Sequence, residues 1–340
     1  MSPPGRPKGE YRSAPHEGSI VNPPGRPKGE HRSAQHEGGP VRIALALPAP
    51  AHNARRREQA VHLATLLVTF GVASVLVWPL WSVLQHGGAA LSLEFISTAP
   101  THAGRSGGIA PVIVSTALIV AVSLAASLPL ALCTAVLLNE RLAPGGPLAI
   151  ALRGSLDALA GVPSIIFGLF GLSFFCRYLG MGYSIMAGGL TLGCMILPTL
   201  ARVLGTALES LGDQYRLGGS ALGLSRGAVL WQLTLPMALP ALCAGVVLAL
   251  ARGLAETAVL LFTSGYADRM PESLADSGRS LSVHIYELAT NVPGGTRAAY
   301  GSALVLLLAL GGLSAALHAG TGWVQGRLLG SRVRVVAQGG

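Results

Sequence analysis

The sequence predicts an all-α integral membrane protein with about six transmembrane helices and a disordered N-terminal tail. Three observations carry this. Of the 340 residues, 51% are hydrophobic and 11% are charged, against about a quarter charged in soluble domains, and the mean hydropathy is +0.54. Six apolar runs approach or exceed the roughly 20 residues that cross a hydrocarbon core. The charge is also segregated: residues 1–57 hold ten Lys/Arg against four acids, giving +6 of the formal +9. By the positive-inside rule this excess holds the N-terminus in the cytoplasm.

The chain reads as three parts: a basic tail over 1–57, a membrane domain over 58–330 and a short cytoplasmic tail over 331–340. Within the first, Pro3–Gly18 recurs as Pro23–Gly38 with two differences. This repeat is rich in Pro, Gly and charge and lacks residues to build a core, so it is expected to be disordered. Without aromatic interleaving or a motif it does not read as a nucleic-acid-binding arm. No apolar signal-peptide region follows within its first 40 residues.

Arg55, Arg56 and Arg57 precede the first span, Leu63–Leu84, whose Trp78 and Trp81 suit an interfacial belt. Residues 85–108 are expected to form an outer loop, and Ile109–Leu138 is the second span. Leu156–Phe175 is the third, with Gly161, Gly168 and Gly171 suited to close helix packing and Pro163 bending its start. Asp157 is read there as a helix cap. The fourth span, Tyr183–Leu204, contains Pro198 and carries Arg202 near its end. The fifth, Pro240–Phe262, carries Arg252 and Glu256 in its middle, and a longer outer loop, Thr263–Arg297, leads to the sixth, Ala298–Ala319. Six spans place both termini on the cytoplasmic side, and Arg327, Arg332 and Arg334 agree. Arg269, Arg279 and Arg297 in the outer loop run against the rule.

A charge inside a span costs about 2.5–3.5 kcal/mol on insertion scales, so Arg202, Arg252 and Glu256 are functional candidates. Arg252 and Glu256 share one helical face, and the Arg-then-Glu order is the poorer one for a local i,i+4 pair. Arg202, entering from span four, is expected to supply a second guanidinium fork beside Arg252. Cys133, Cys176, Cys194 and Cys243 lie in or beside apolar runs without CxxC spacing, which points to packing and not to metal or disulfide. The sequence contains neither an HExxH helix nor the GxxxxGK[ST] cradle of an ATP-hydrolysing protein.

Residues 205–239, between spans four and five, are cytoplasmic on this topology. Asp213 is positioned to cap a short helix from Gln214. Gly218, Gly219 and Gly223 thin its surface for close approach by another protein. A second short helix follows, with Pro236 and Pro240 marking its end and the return to the membrane.

Gly223, nine residues, then Leu233-Thr234-Leu235-Pro236 resembles the EAA loop of binding-protein-dependent ABC importer permeases. Where that family has Glu-Ala-Ala, this chain has Leu217-Gly218-Gly219, leaving Asp213 and Arg216 as the polar residues of the loop. The stretches Gly161–Leu172, Leu197–Arg202, Ala251–Gly265 and Ser282–Ala289 are similar to the A-type permease subunit of the Pst phosphate importer. The resemblance covers roughly residues 63–325. It implies an ABC importer permease fold and a prokaryotic plasma-membrane location. It also implies a coupling loop that docks on a cytoplasmic ATPase dimer. The remaining partners it implies are a homologous C-type permease, an extracytoplasmic phosphate-binding protein and the surrounding lipid. ATP would be bound by the ATPase, so this chain needs no cofactor and is not itself an enzyme. Arg202, Arg252 and Glu256 match positions implicated in phosphate passage in the family. Permeases for molybdate or sulfate are the nearest alternative.

Overall fold

The computed structural model of the chain describes residues 52–143, 145–211 and 214–337; the expected disordered repeat and the cap at Asp213 lie outside them. The chain divides after Leu63 into two units, and the first contributes only the start of one helix to the described residues. In order, α1 spans His52–Gly88, α2 Leu93–Ser97, β1 Pro100–Thr101, β2 Ser106–Gly107, α3 Ala110–Val136, α4 Pro147–Gly161 and α5 Ser164–Gly171. Then follow α6 Ile185–Glu209, α7 Gln214–Ala221, α8 Arg226–Val229, α9 Leu235–Ala255, α10 Ala258–Leu261, α11 Leu281–Thr290 and α12 Thr296–Ala337. The expected part boundaries at 57 and 330 both fall inside helices, α1 and α12.

Five helices among the described residues are long and apolar enough to cross a membrane, and a sixth crossing exists if the bent pair α4–α5 counts as one. The expected third span is therefore not a straight rod. It breaks at Val162 and Pro163, both extended, and its halves meet at 96°. Proline lacks the amide that would continue α4 and drives the residue before it out of the helical region. The outer loop expected over 85–108 contains α2 and the hairpin Pro100↔Gly107, Thr101↔Ser106.

The core lies between α3 and α6, which run side by side in the same direction. Gly189 packs on Val122 and Ile119, Gly193 on Ser123, and the Asn139 amide donates to the Gly205 carbonyl at 3.2 Å. Ile185, Leu192, Ile196, Leu200 and Leu204 form the buried stripe of α6, at the three- and four-residue spacing of one helical face. Next to it α9 runs the opposite way, with Gly245 against Val203 and Leu204 and Gly253 against Leu192. By contrast Leu66, Phe70, Trp78 and Leu84 of α1 are exposed, as suits a helix whose neighbours are lipid or another chain.

Residues 205–239 fold as α7, a tight turn and α8. Gly223 has φ +74°, the left-handed value that helix stops demand. The Leu224 amide bonds the Gly219 carbonyl and the Gly223 amide that of Ser220, both at 3.0 Å, which together form a Schellman stop. The three glycines expected to thin this surface divide: a side chain at Gly219 would strike Val229, whereas Gly218 faces open space. Ser225 then caps α8, accepting from the Ala228 amide at 3.2 Å. Pro236 and Pro240 do not end this helix as expected. A π-helical stretch, Leu230–Thr234, carries α8 into α9. The Leu235 amide reaches back to the Leu230 carbonyl, so the wide turn leaves Pro236 at a position that needs no donor. Similar π stretches, Leu137–Arg141 and Leu172–Tyr178, extend α3 and α5.

The three outer-loop arginines are engaged within the fold. Arg269 pairs with Asp276 at 3.3 Å, Arg279 donates Nε to the Tyr266 carbonyl at 3.0 Å, and Arg297 donates to the Ala89 carbonyl at 3.0 Å. These contacts give the three arginines structural roles within the fold, independent of any part in setting the topology.

Candidate functional site

Glu256 lies where a span breaks. The helix α9 ends at Ala255, and Glu256 is extended (φ −74°, ψ 123°) before α10 begins. The expectation that Arg252 and Glu256 occupy the middle of a Pro240–Phe262 span is thereby corrected. The span runs Arg226–Ala255, because the π stretch admits Pro236 into the helix, and the ionic residues belong to its C-terminal end. Gly253 is level with Leu192, which sets Arg252 about 6 Å from the centre of α6, toward its N-terminus, at 1.5 Å per residue.

The second break, at Val162–Pro163, faces the first. Ser164, at the start of α5, lies beside the Glu256 carboxylate. One turn on, Gly168 allows contact with α10: a Cβ there would sit 3.0 Å from the Ala258 carbonyl oxygen and the Phe262 ring. Gly171 likewise leaves room for Thr191 of α6. Two of the three glycines expected to serve packing do so, and Gly161 meets nothing. Irregular backbone at membrane depth persists only where it is buried in protein or lines a cavity, and broken spans that face each other are where transport proteins place ligands.

Arg252 Nε lies 4.0 Å from Glu256 Oε1, with side-chain exposures of 45% and 16%. The break permits this pair in the unfavourable Arg-then-Glu order, because Glu256 has left the helical path. The Arg252 guanidinium is half-exposed, and a charge at the end of an apolar span is costly unless it faces protein or a polar cavity.

Arg202 is not part of this cluster. It pairs with Asp157 of α4, and with α6 and α9 antiparallel its Cα lies about 13 Å along α6 from the level of Arg252. The two-fork cradle expected from the sequence is therefore not assembled in this conformation. Asp157, expected to cap a helix, sits inside α4 instead, where Gly146 holds the cap position. Arg153 of α4 reaches Glu209 of α6 at 3.3 Å. These two crossed pairs, with Asn139, line a cleft of about 320 Å³ at the C-terminal end of α6.

In the loop, Leu233 and Pro236 follow the turn as the resemblance implies, and Leu217, Leu222 and Trp231 present exposed apolar surface. Arg216 lies in α7. Gly223-Leu224-Ser225-Arg226-Gly227 also matches the nucleophile-elbow string G-x-S-x-G. Its context excludes that reading: the string links two helices, and Ser225 is occupied as a cap. Among the described residues no group of three His, Cys, Asp or Glu is arranged to hold a metal ion.

Sequence reasoning did not identify Ser164, Arg153 or Glu209, nor Asp157 in its present role. Ser164 follows the helix-breaking Pro163, and that adjacency was the one signal available; the others meet partners at least 45 residues away.

Residues 127–328 match the family described as "Binding-protein-dependent transport system inner membrane component". The probable ABC transporter permease protein YqgI of Bacillus subtilis (strain 168) is 28% identical over 254 residues, covering 70% of this chain and 86% of that protein. The phosphate transport system permease protein PstA 1 of Mycobacterium tuberculosis (strain CDC 1551 / Oshkosh) is 31% identical over 264 residues, covering 75% and 85%. A PstA homolog of Mycoplasma pneumoniae is 37% identical over 184 residues, which make up 28% of that longer protein. An inward-facing structure of the MetNI methionine ABC transporter superposes with TM-score 0.50 at 17% identity, covering 64% of this chain and 94% of that one, a likeness of fold. Broken spans, a glycine-stopped loop and a match over most of the membrane domain converge: the chain belongs to the binding-protein-dependent inner-membrane transport components and is a permease subunit of an ABC importer.

Proposed function

We propose that this permease carries phosphate inward across a prokaryotic plasma membrane, with both termini cytoplasmic. It would pair with a homologous C-type permease, a cytoplasmic ATPase dimer that binds the ATP, and an extracytoplasmic phosphate-binding protein. The observation that supports phosphate is the Arg252–Glu256 pair at the facing breaks, in a chain whose relatives include proteins named as phosphate permeases. The Arg252 fork donates to the anion through several N–H···O bonds. The Glu256 carboxylate accepts the proton that hydrogenphosphate carries and sulfate lacks. Arg202 serves further along the same path, near the inner mouth. Closure of the ATPases moves the 205–239 loop, and the spans open alternately to the two sides around the breaks.

Competitive uptake into proteoliposomes holding the assembled importer tests this reading. The wild type should take up phosphate against excess sulfate. Glu256→Gln should keep assembly and lower that discrimination about tenfold, the scale of one hydrogen bond to a charged group. Unchanged sulfate rejection in Glu256→Gln removes the selectivity role, and a wild type that prefers molybdate or sulfate replaces the substrate.

A further inference from the structure

The break at Glu256 is fastened by a hydrogen bond from α11. The Glu256 carbonyl precedes α10, whose first bond runs from the Leu261 amide to the Thr257 carbonyl at 2.9 Å. Its partner comes from the outer helix α11, where the Ser282 hydroxyl donates to it at 2.6 Å. Ser282 is nearly buried, as are its neighbours Ser280 and Thr116. Ser280 Oγ stands 3.0 Å from Ser282 Oγ. Since the Ser282 proton goes to Glu256, Ser280 is the donor of that pair. Ser280 also caps α11, accepting from the Val283 amide at 3.2 Å. The Leu281 amide between them donates to Thr116 Oγ1 of α3 at 2.8 Å. A set of polar contacts thus runs from Thr116 of α3, through the Leu281 amide and the serines of the first turn of α11, to a carbonyl at the break.

We propose that Ser282 is a positioning residue: by holding the Glu256 carbonyl it fixes the α9–α10 break, and so aims the Glu256 carboxylate beside Arg252. The consequence for selectivity rests on the reading of that pair as the anion site; the fixing of the break does not. The physical ground is the cost of a buried carbonyl without a donor. Without Ser282 the peptide after Glu256 must turn in search of another partner, and the carboxylate turns with it. The outer helix thereby shares in setting the geometry of a site that it does not line with a charge.

Two measurements on the assembled importer test the proposal. In hydrogen–deuterium exchange, Ser282→Ala should speed exchange of peptides covering 253–262 several-fold, with α3 unchanged, and Ser282→Thr should restore protection. Unchanged exchange over 253–262 overturns the proposal whatever the substrate proves to be. In competitive uptake, Ser282→Ala should lower phosphate-over-sulfate discrimination about fivefold, within the range of one lost hydrogen bond. Combined with Glu256→Gln it should add little further loss, because coupled residues are not additive. A Ser282→Ala variant that loses uptake with its discrimination intact has only a packing defect and overturns the positioning role. If Glu256→Gln leaves discrimination untouched, the anion-site reading falls and the exchange result alone decides Ser282.

Discussion

Two arginine–carboxylate pairs sit on neighbouring antiparallel helices, and they are built differently. Arg252–Glu256 is local in sequence, its carboxylate is 16% exposed, and the backbone of Glu256 is held by Ser282. Arg202–Asp157 joins residues 45 apart, with side-chain exposures of 47% and 67%, and it borders an open cleft beside a second pair of the same kind. Exposed pairs contribute about 0–1 kcal/mol and exchange partners readily, whereas a carboxylate withdrawn from solvent on a fastened backbone is more confined. On the function proposed above, the first pair recognises the anion, while the pairs at the C-terminal end of α6 hold α4, half of a broken span, against α6 and let it go.

The largest effect that separates the two is expected at the guanidinium. Arg252→Gln should stop phosphate uptake, by at least ~100-fold if a charged fork worth about 3 kcal/mol is lost. Arg202→Gln should lose about tenfold or less. Equal losses in uptake assays on matched proteoliposomes would erase the distinction. A similarly large but different defect is expected in the 205–239 loop. Gly223→Val forces a branched residue to φ +74°, so ATP hydrolysis and transport should uncouple while the outer site keeps its anion. Transport at the normal rate in that variant would remove the loop from coupling.

Charge reversal gives a smaller and more pointed contrast. If Arg202 mainly holds α4, Arg202→Asp should reduce uptake several-fold and the exchange Asp157→Arg with Arg202→Asp should return most of it. Failure of the double variant to recover would mean that the anion itself needs the cation at position 202.

The smallest expected effect is one of pH on the outer half. His284 of α11 is fully buried, and burial, with a smaller part from Arg279, lowers its pKa from 6.5 to about 4. The folded protein therefore binds fewer protons than the unfolded chain between these values, and stability falls as pH drops from about 6.5 toward 4. Thermal unfolding in nanodiscs should show this loss, and His284→Asn should reduce it. A pH-independent midpoint over that window in the wild type would show that His284 titrates normally.

How much of this was readable in advance depended on whether the cause was local. Apolar length located the spans, and Gly223 with Leu233 and Pro236 marked the loop turn, because a left-handed stop is written in one residue. The ends of the ionic span were misplaced because the apolar composition runs on through Phe262 while the backbone breaks at Glu256. Pro236 read as a stop because a π turn, which frees it from donating, leaves no mark in composition. Arg202 was grouped with Arg252 on residue type and on the family resemblance, neither of which carries depth along the helices. Only the opposite directions of α6 and α9 separate their levels, and only the fold brings Asp157 to Arg202.

The π stretch Leu230–Thr234 has a consequence for how the two ends of this path are kept in phase. A wide turn stores one more residue than an α turn without lengthening the rod much. Removing a single residue between 230 and 234 would let the segment relax to α geometry and leave the span nearly as long as before. The phase would be kept as well, because an α turn completes the same circle with one residue fewer. A deletion within α9 itself, between 241 and 251, has no wide turn to absorb it, and everything beyond would swing by about 100°, the angle of one helical residue, relative to the loop that ends at Gly223. Arg252 would then point at a different neighbour although no residue near it had changed. The register of the loop with the ionic site is thus buffered at the π stretch and strict in α9, and a deletion scan across both would find tolerance in the first and a sharp phase dependence in the second.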